Sequence, residues 1–296
     1  MAAAHSARLY RYMLDGVVDP RKLSDLAGDD AGYPYEKASA WVRSYLVSAL
    51  DHLLLWANVV APQQVYDGME VQNPPRPYFT LARAALESAA QAVWVLEQET
   101  STDRVHRHLR LLYHDLRQLA LALETQDDAR VAQVRERMAN MEQRTAGVYA
   151  FDSITRAEPK YLMIVRECSS AIDMDPDDLE AVWRGASAAA HGKNWFQHVG
   201  YRAEVGEEYE PGYYRVMLTP DPGEITRTVE AAAAMVARGV VRFVLSAGYN
   251  PAALWKPAMA RLAQETPLKP GAEWPAGFAT EAPTFTAASP DGAGSR

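Results

Sequence analysis

Residues Glu36–Ala61 read EKASAWVRSYLVSALDHLLLWANVVA and form the most strongly patterned stretch of the chain. One apolar stripe recurs every three or four residues, as on one face of an α-helix; it comprises Val42, Leu46, Ala49, Leu50, Leu53, Ala57 and Val60. A second stripe covers another face and comprises Trp41, Tyr45, His52, Leu55 and Val59. A helix that is apolar nearly all round is buried. The stretch therefore predicts a helix in the middle of a bundle or in a dimer.

Helical patterns continue from this stretch toward the C-terminus. Apolar periodicity and helix-start signals predict further helices at about residues 77–99, 101–124, 127–146, 160–172, 175–191, 221–247 and 251–264. Two β-like stretches, Phe196–Val205 and Tyr213–Leu218, flank a turn at Gly206–Gly212, as in a hairpin. The predicted fold class is all-α (mainly α), a helical bundle with a small inserted β-hairpin near residues 196–219.

Composition divides the chain into three parts. Residues 1–35 mix Gly, Asp, Pro and Tyr with only a short apolar start, which predicts an irregular N-terminal arm. Residues 36–265 are predicted to form a single helical-bundle domain. Residues 266–296 contain five Pro and four Gly and show no apolar periodicity, so we expect a disordered tail that contributes little to stability.

Charge and cysteine content exclude several classes of protein. The chain has 30 Lys and Arg against 38 Asp and Glu, a net charge of −8, which argues against coating nucleic acid through bulk charge. The single cysteine, Cys168, excludes a disulfide framework and a Cys-rich zinc site. Apolar runs are far shorter than the roughly 18 residues of a membrane span, and the N-terminus lacks the apolar core of a secretory signal. These features predict a cytoplasmic protein with no membrane contact.

The common motifs of cofactor and metal chemistry are missing from the sequence. There is no Gly-rich phosphate loop, no Gly-x-Ser-x-Gly elbow, no Cys-x-x-Cys and no His-Glu-x-x-His. His106 and His108 are two positions apart, so a helix would point their rings in different directions. We therefore predict neither a cofactor nor a metal.

One helical segment, Val182–Gly192 (VWRGASAAAHG), combines a cation with a titratable base. Arg184 and His191 are seven positions apart, so on a helix they differ by about 20° in azimuth and lie roughly 10 Å apart along the axis. The residues between them are small, and Ser187 lies one turn before His191. This arrangement puts a guanidinium and an imidazole on one face that a substrate can approach closely.

Cleavage of an RNA phosphodiester needs these two groups. An imidazole that titrates near neutrality can take the 2′-hydroxyl proton or give one to the leaving oxygen. A guanidinium can hold the phosphate and stabilise the charge that develops in the transition state. Arg184 and His191 are thus the candidate catalytic pair, and the reaction requires no metal.

The segment resembles the HEPN superfamily, all-α domains whose signature is Arg, four to six residues and then His near the end of a helix. Arg184 and His191 fit the six-residue version, and the Arg-Ala-Ala-Leu-Glu segment at Arg83–Glu87 is similar to that of poorly characterised actinobacterial members. The resemblance implies a metal-independent endoribonuclease of the toxin–antitoxin or defence type. It also implies a composite site that two motifs form across a dimer, and a cognate antitoxin or regulatory partner.

Other interpretations of the same residues remain open. His191, directly before Gly192, can hydrogen-bond the last helix carbonyls, and Arg184 can pair with Glu180 one turn earlier. The chain would then be a catalytically silent HEPN-like module that dimerises through its alanine-rich helix. A third interpretation is a helical protein that binds a small ligand in the bundle core.

Further residues are candidates for the lining of the site or for partner contact. Arg83 and Glu87 form an i, i+4 pair that either is a plain ion pair or faces the His191 helix, and His52 is either a core histidine or a second imidazole of the site. A basic stripe opposite a leucine seam either is solvated or contacts RNA or an acidic partner; it comprises Arg107, Arg110, His114 and Arg117. Aromatic residues in and before the hairpin are read as cross-strand core pairs; they are Trp195, Phe196, Tyr201, Tyr213 and Tyr214.

The expected assembly is a two-fold homodimer. The helix at residues 36–61 offers apolar surface on more than one face, and the helix at residues 175–191 offers a face of small residues. Two-fold dimers are the commonest closed assemblies of a single chain. RNA is the predicted substrate of such a dimer.

Overall fold

A computed structural model describes residues 1–63 and 75–266 together with the single positions 273, 274 and 278. The mainly α-helical bundle with one inserted hairpin is confirmed. The described helices and strands are α1 (Ala2–Asp15), α2 (Asp25–Gly32), α3 (Ala38–Val60), α4 (Pro75–Leu96), α5 (Ser101–Leu123), α6 (Asp128–Thr145), α7 (Phe151–Thr155), α8 (Tyr161–Glu167), α9 (Pro176–Ala190), α10 (Gln197–Gly200), β1 (Tyr201–Glu210), β2 (Tyr213–Pro220), α11 (Pro222–Ser246) and α12 (Pro251–Glu265).

Helix α4 lies between α3, α9 and α11 and contacts all three. Five of its twelve buried residues are alanines, namely Ala82, Ala85, Ala89, Ala90 and Ala92. Small side chains allow neighbouring helix backbones to approach closely. Gly239 of α11 completes the crossing, because a Cβ at that position would lie 2.6 Å from Leu46 Cδ2 and 3.4 Å from Val93 Cγ2.

Helix α3 is buried on one face. The first stripe read from the sequence is buried from Val42 to Ala57 and belongs to the main core cluster. The second stripe is only half-buried, and Leu55 is 57% exposed. Within one chain the second face is therefore not fully buried, because α1, α4 and α11 cover only part of the circumference, and its burial in a dimer stays a prediction.

A second core cluster joins α5, α6 and α7. The leucine seam of α5 contributes Val105, Leu109, Leu112 and Leu116, and α6 adds the narrow seam that its sequence predicts. The side of α5 next to this seam is not a solvated surface. It carries Arg104 and His108, both buried, and it packs against α2 and α4.

The predicted irregular arm at residues 1–35 is wrong, because α1 and α2 occupy most of it. Ala4, Ala7, Leu9, Met13 and Leu14 of α1 are buried in the main core. Arg8, 2% exposed, donates to the Ala61 carbonyl at 2.7 Å and to the Ala57 carbonyl at 3.3 Å, so it satisfies carbonyls at the end of α3.

Helix α2 is held by two buried aspartates. Both carboxylate oxygens of Asp29 accept from Arg104, from Nε at 2.7 Å and from Nη2 at 3.0 Å. Asp30 accepts from the backbone N–H and the hydroxyl of Ser39 at the start of α3. The sequence predicted an irregular arm because Gly and Asp are typical of turns. The residues that hold these aspartates in a helix lie on α3 and α5, so the local sequence does not show them.

The hairpin is shorter and more exposed than its sequence predicts. Residues 194–200 form a 3₁₀ turn and α10, so β1 begins at Tyr201, and Phe196 is buried against Phe79 at 4.9 Å between ring centroids. Residues 202–220 are all exposed. The interpretation of the hairpin tyrosines as core pairs is therefore wrong for Tyr213 and Tyr214, because no layer covers either face of the ribbon.

The C-terminal tail of residues 266–296 lies largely outside the described residues. Two of its described positions contact the body of the protein, since Phe278 is buried in the main core cluster and Trp274 packs against it. Both rings lie edge-on to His5 of α1, with centroid distances of 5.3 Å for Trp274 and 5.8 Å for Phe278. The contact gives these two residues a route to stabilise the protein, so the small contribution expected of the whole tail stays a prediction. Among the helices that the structure describes, none combines the length and the apolarity needed to cross a bilayer.

Asp29→Asn should lower the free energy of unfolding by about 3–5 kcal/mol, because it leaves the buried Arg104 guanidinium without its counter-charge. Urea unfolding followed by circular dichroism measures the change. Glu124→Gln is the control, since its pair with Arg135 is exposed and should be worth less than about 1 kcal/mol. Equal effects of the two substitutions would contradict the structural role of Asp29.

Replacing Trp274 and Phe278 together by alanine should lower the free energy of unfolding by about 2 kcal/mol, since it removes apolar area from the His5 surface. Thermal unfolding measures the loss. Truncation after Phe278 is the matched control, because it removes only sequence without apolar periodicity and keeps the aromatic pair. If the double variant unfolds at the same temperature as the wild-type chain, the tail does not stabilise the protein through these rings.

Candidate functional site

Helix α9 carries the Arg–His motif and begins as its sequence predicts. Asp175 is the N-cap, and its Oδ1 accepts from the backbone N–H of Asp177 at 2.8 Å and of Asp178 at 3.2 Å. Pro176 occupies the first helical position, where its missing N–H costs nothing. The helix ends at Ala190, followed by His191 and by Gly192 in the left-handed region at φ +64°.

The small residues of α9 serve helix contact within one chain. Gly185, Ala186, Ala188 and Ala189 are buried, and the alanines form a cluster with Phe79 of α4 and Phe196. The small face that the sequence offered for a dimer is thus covered inside the protomer.

Arg184 is oriented by an acid and still reaches solvent. Its Nε donates to Glu180 Oε1 at 2.6 Å, while the side chain remains 56% exposed. Glu180 also accepts from Arg166, and these two guanidiniums hold the pKa of its carboxyl below the usual value. The Arg184–Glu180 pair expected as an alternative is therefore present. It uses only Nε, and the terminal amino groups make no hydrogen bond to the described residues.

His191 is exposed, and its imidazole makes no hydrogen bond within the part of the chain that the structure describes. The last carbonyls of α9 are satisfied by backbone groups instead. Gly192 N–H donates to Ala189 O at 3.3 Å and Lys193 N–H to Ala188 O at 2.9 Å. The imidazole is therefore not consumed in capping the helix. Ser187, half-buried, accepts the His191 backbone N–H through its carbonyl at 3.0 Å.

A cavity of about 520 Å³ opens beside Arg184, between α3, α4, α5, α9 and the start of α8. Its lining comprises Tyr45, Gln91, Leu111, His114, Asp115, Gln118, Glu158, Pro159, Lys160, Tyr161, Leu162, Trp183 and Arg184. His191 and Ser187 are not part of this lining. The structure therefore places the two members of the motif in different surroundings.

His114 is the buried polar residue of this cavity. It is 4% exposed, and neither ring nitrogen has a hydrogen-bond partner among the described residues. Burial lowers the pKa of His114, so its imidazole is neutral near pH 7. Burial also raises the pKa of Tyr45 and of Tyr161, so both phenols stay protonated.

Arg83 and Glu87 fix one wall of the cavity. Arg83 Nε donates to Glu87 Oε1 at 2.9 Å, and Trp183 Nε1 donates to the same oxygen at 2.7 Å. The Arg83 guanidinium also lies 5.5 Å from the centroid of the Trp183 ring. The pair thus faces α9, which was one of the two interpretations of the sequence, and it positions the Trp183 side chain. Sequence reasoning missed Trp183, which shows only as an apolar residue beside the motif.

The basic stripe of α5 is mostly engaged with other helices. Arg107 donates to the Trp94 carbonyl at 2.9 Å and pairs with Glu167 at 3.2 Å. Arg110 donates to the Ala157 carbonyl at 3.1 Å. Of the four residues, only Arg117 is exposed, so the stripe does not form a continuous cationic surface.

Two other candidates have no part in the cavity. His52 is half-buried on α3 and is not among the residues that line it. Cys168 is buried and its Sγ contacts the Ala90 carbonyl at 3.5 Å; burial raises the pKa of its thiol to about 12, which excludes it as a nucleophile at neutral pH. Within residues 1–63 and 75–266, no group of three or more His, Cys, Asp or Glu side chains could hold a metal ion.

Comparison with known proteins adds no relative to this picture: no family model, no curated protein and no solved structure matches the chain.

Proposed function

We propose that this protein is a HEPN-like, metal-independent endoribonuclease that acts through Arg184 and His191. One observation carries the proposal: both side chains are exposed, and the reactive groups of both, the terminal amino groups of Arg184 and the imidazole of His191, are free of hydrogen bonds to the described residues. A structural pair would use these groups inside the protein. Glu180 accepts a hydrogen bond from Arg184 Nε only, so the terminal amino groups of Arg184 stay available.

The chemistry is an in-line transfer within the RNA. The His191 imidazole takes the proton of the 2′-hydroxyl, the 2′ oxygen forms a bond to phosphorus, and the bond from phosphorus to the 5′ oxygen breaks. The leaving 5′ oxygen takes its proton from the imidazole of a second copy. Arg184 contacts the non-bridging oxygens and stabilises their added charge. The products are a 2′,3′-cyclic phosphate and a 5′-hydroxyl.

A dimer completes this site, because one chain supplies one imidazole and places it about 10 Å along the helix axis from Arg184. The surface that we infer for the dimer is the hairpin ribbon. Val205 lies directly opposite Val216 and Ala203 opposite Leu218, which makes one face of the ribbon apolar. Val205 is 70% and Val216 53% exposed. A two-stranded ribbon is at best marginally stable alone, so we expect another protein surface to bury this apolar face.

Charge favours an antiparallel arrangement of a second copy on this face. The tip of the ribbon is acidic, with Glu207, Glu208 and Glu210 against the single Arg215, whereas at its base Arg202 pairs with Asp221 at 2.9 Å. Two ribbons related by a two-fold axis and stacked antiparallel keep their acidic tips apart. A parallel arrangement would bring six carboxylates together, which like-charge repulsion disfavours. A toxin- or defence-type role, with a cognate protein that restrains the enzyme, completes the proposal.

The wild-type chain should cleave single-stranded RNA in the presence of EDTA and leave DNA intact, because the nucleophile is the 2′-hydroxyl. His191→Ala should reduce the rate by about 10²–10⁴-fold, and Arg184→Lys should also be costly, since a point charge cannot replace the planar fork. Gel analysis measures the cleavage rates of the wild-type chain and of both variants, and mass spectrometry detects the cyclic phosphate. His198→Ala, another exposed histidine, is the matched control and should cleave normally. RNA left intact by the wild-type chain would overturn the proposal.

Val216→Glu should shift the chain from dimer to monomer in light scattering at micromolar concentration, because it places a carboxylate in the apolar face of each ribbon. Met217→Glu is the matched control: it changes the next residue of β2, 58% exposed, which points to the opposite face. The control should remain a dimer. A monomeric wild-type chain, or equal dissociation by both variants, would contradict the ribbon interface.

A further inference from the structure

The cavity beside Arg184 has a role that the Arg184–His191 chemistry does not explain. Its volume of about 520 Å³ lies within the range of sites that hold small organic ligands. Only Arg184, at its rim, belongs to the catalytic pair. The remaining lining comes from five separate parts of the chain, so the space is a product of the fold.

The walls of the cavity suit a flat ring. Three aromatic side chains contribute to the lining: Tyr45 from α3, Tyr161 from α8 and Trp183 from α9. Trp183 is fixed by its hydrogen bond to Glu87 and by the Arg83 guanidinium, so its indole does not need to be ordered when a ligand binds. Aromatic faces of this kind stack on nucleobases without regard to their identity.

The buried end of the cavity offers a donor and an acceptor that the fold leaves unused. A neutral imidazole carries one N–H donor and one bare nitrogen acceptor, and both nitrogens of His114 lack partners. Buried polar groups of native proteins are nearly always hydrogen-bonded, so an unpaired pair needs an external partner. The amide of Gln91 adds a further donor and acceptor to the same lining. A heterocycle with adjacent donors and acceptors on its edge matches this set.

The mouth of the cavity carries charged side chains of both signs. Arg184 presents its free terminal amino groups there, and Lys160, exposed, lies on the same rim. The same lining contains the exposed carboxylates of Asp115 and Glu158, and Glu158 accepts from Gln118 at 3.2 Å. A phosphate bound by Arg184 would thus lie at the entrance, with its base directed inward.

We propose that this cavity binds a nucleobase of the RNA strand, stacked on Trp183 and Tyr161 and hydrogen-bonded to His114, while Arg184 holds the adjacent phosphate. The inference rests on the proposed function for the identity of its ligand as RNA. It adds a specificity site: the cavity selects which nucleotide lies next to the bond that is cleaved.

Binding of a non-cleavable ligand tests the proposal apart from catalysis. Calorimetry with 2′-O-methyl dinucleotides of each base, and with free mononucleotides, reports the affinity of the full-length chain. We expect measurable binding with a preference for one base and at least tenfold weaker binding by His114→Leu. Thermal unfolding should show His114→Leu to be as stable as the wild-type chain or more so, because the substitution removes two unpaired buried nitrogens. His114→Gln, which keeps a donor and an acceptor, should retain part of the affinity.

His106→Leu is the matched control on the same helix. His106 bonds to the Ser153 hydroxyl at 2.8 Å and is not part of the cavity lining. This variant should bind the dinucleotides normally and lose some stability. The opposite pattern, in which His114→Leu melts early and binds normally, would show a structural role for His114 and overturn the inference.

The outcomes separate this inference from the proposed function. Dinucleotide binding that depends on His114, in a chain that leaves RNA intact, supports the cavity and overturns the endoribonuclease. Binding of free mononucleotides alone shows that the source of the base is not an RNA strand and overturns the specificity role. RNA cleavage with the same base preference in the wild-type chain and in His114→Leu keeps the endoribonuclease and overturns the cavity as its specificity site.

Discussion

The close approach of α4 to its three neighbours is the constraint on which the rest of the structure depends. A run of alanines on α4 and the glycine at position 239 of α11 let the helix backbones come near enough to bury their shared surface. Because α4 is fixed in this way, Glu87 faces α9 and Gln91 faces the cavity. The position of the candidate site is therefore set by side-chain size in the core more than by any residue of the site itself.

Polar groups buried in this protein fall into two kinds. Arg8, Asp29, Asp30 and Arg104 are buried and hydrogen-bonded, and each of them joins two helices. Such groups fix geometry, because a buried charge is strongly unfavourable unless its partner is in place. His114 is equally buried and has no partner. Arg8 also leaves Nε and Nη1 unpaired but is held through Nη2, whereas His114 has no paired ring nitrogen among the described residues, and this contrast motivates the proposed ligand site.

The two members of the motif occupy distinct environments on one helix. Arg184 borders the cavity and is held by Glu180, whereas His191 lies past the last turn, where backbone groups already cap the helix. A helix presents residues seven apart on the same face, but the elements packed around it differ from one end to the other. In the function that we propose, one end of α9 holds a phosphate beside the cavity, and the other end supplies the imidazole.

The sequence by itself determined most of the long helices and the start of α9. Apolar periodicity placed α3, α5, α6 and α9, and the Asp175–Pro176 start needed no tertiary information, because an N-cap acts within its own turn. Such local signals could not reveal α2, whose Asp29 is paired with Arg104, 75 positions away. The exposure of the hairpin and the engagement of the basic stripe were equally beyond local pattern, since both depend on which layers cover an element. Tertiary structure alone decided that His114 and Trp183 share a cavity, because several separate elements must meet before an unpaired imidazole and an aromatic wall can face the same space.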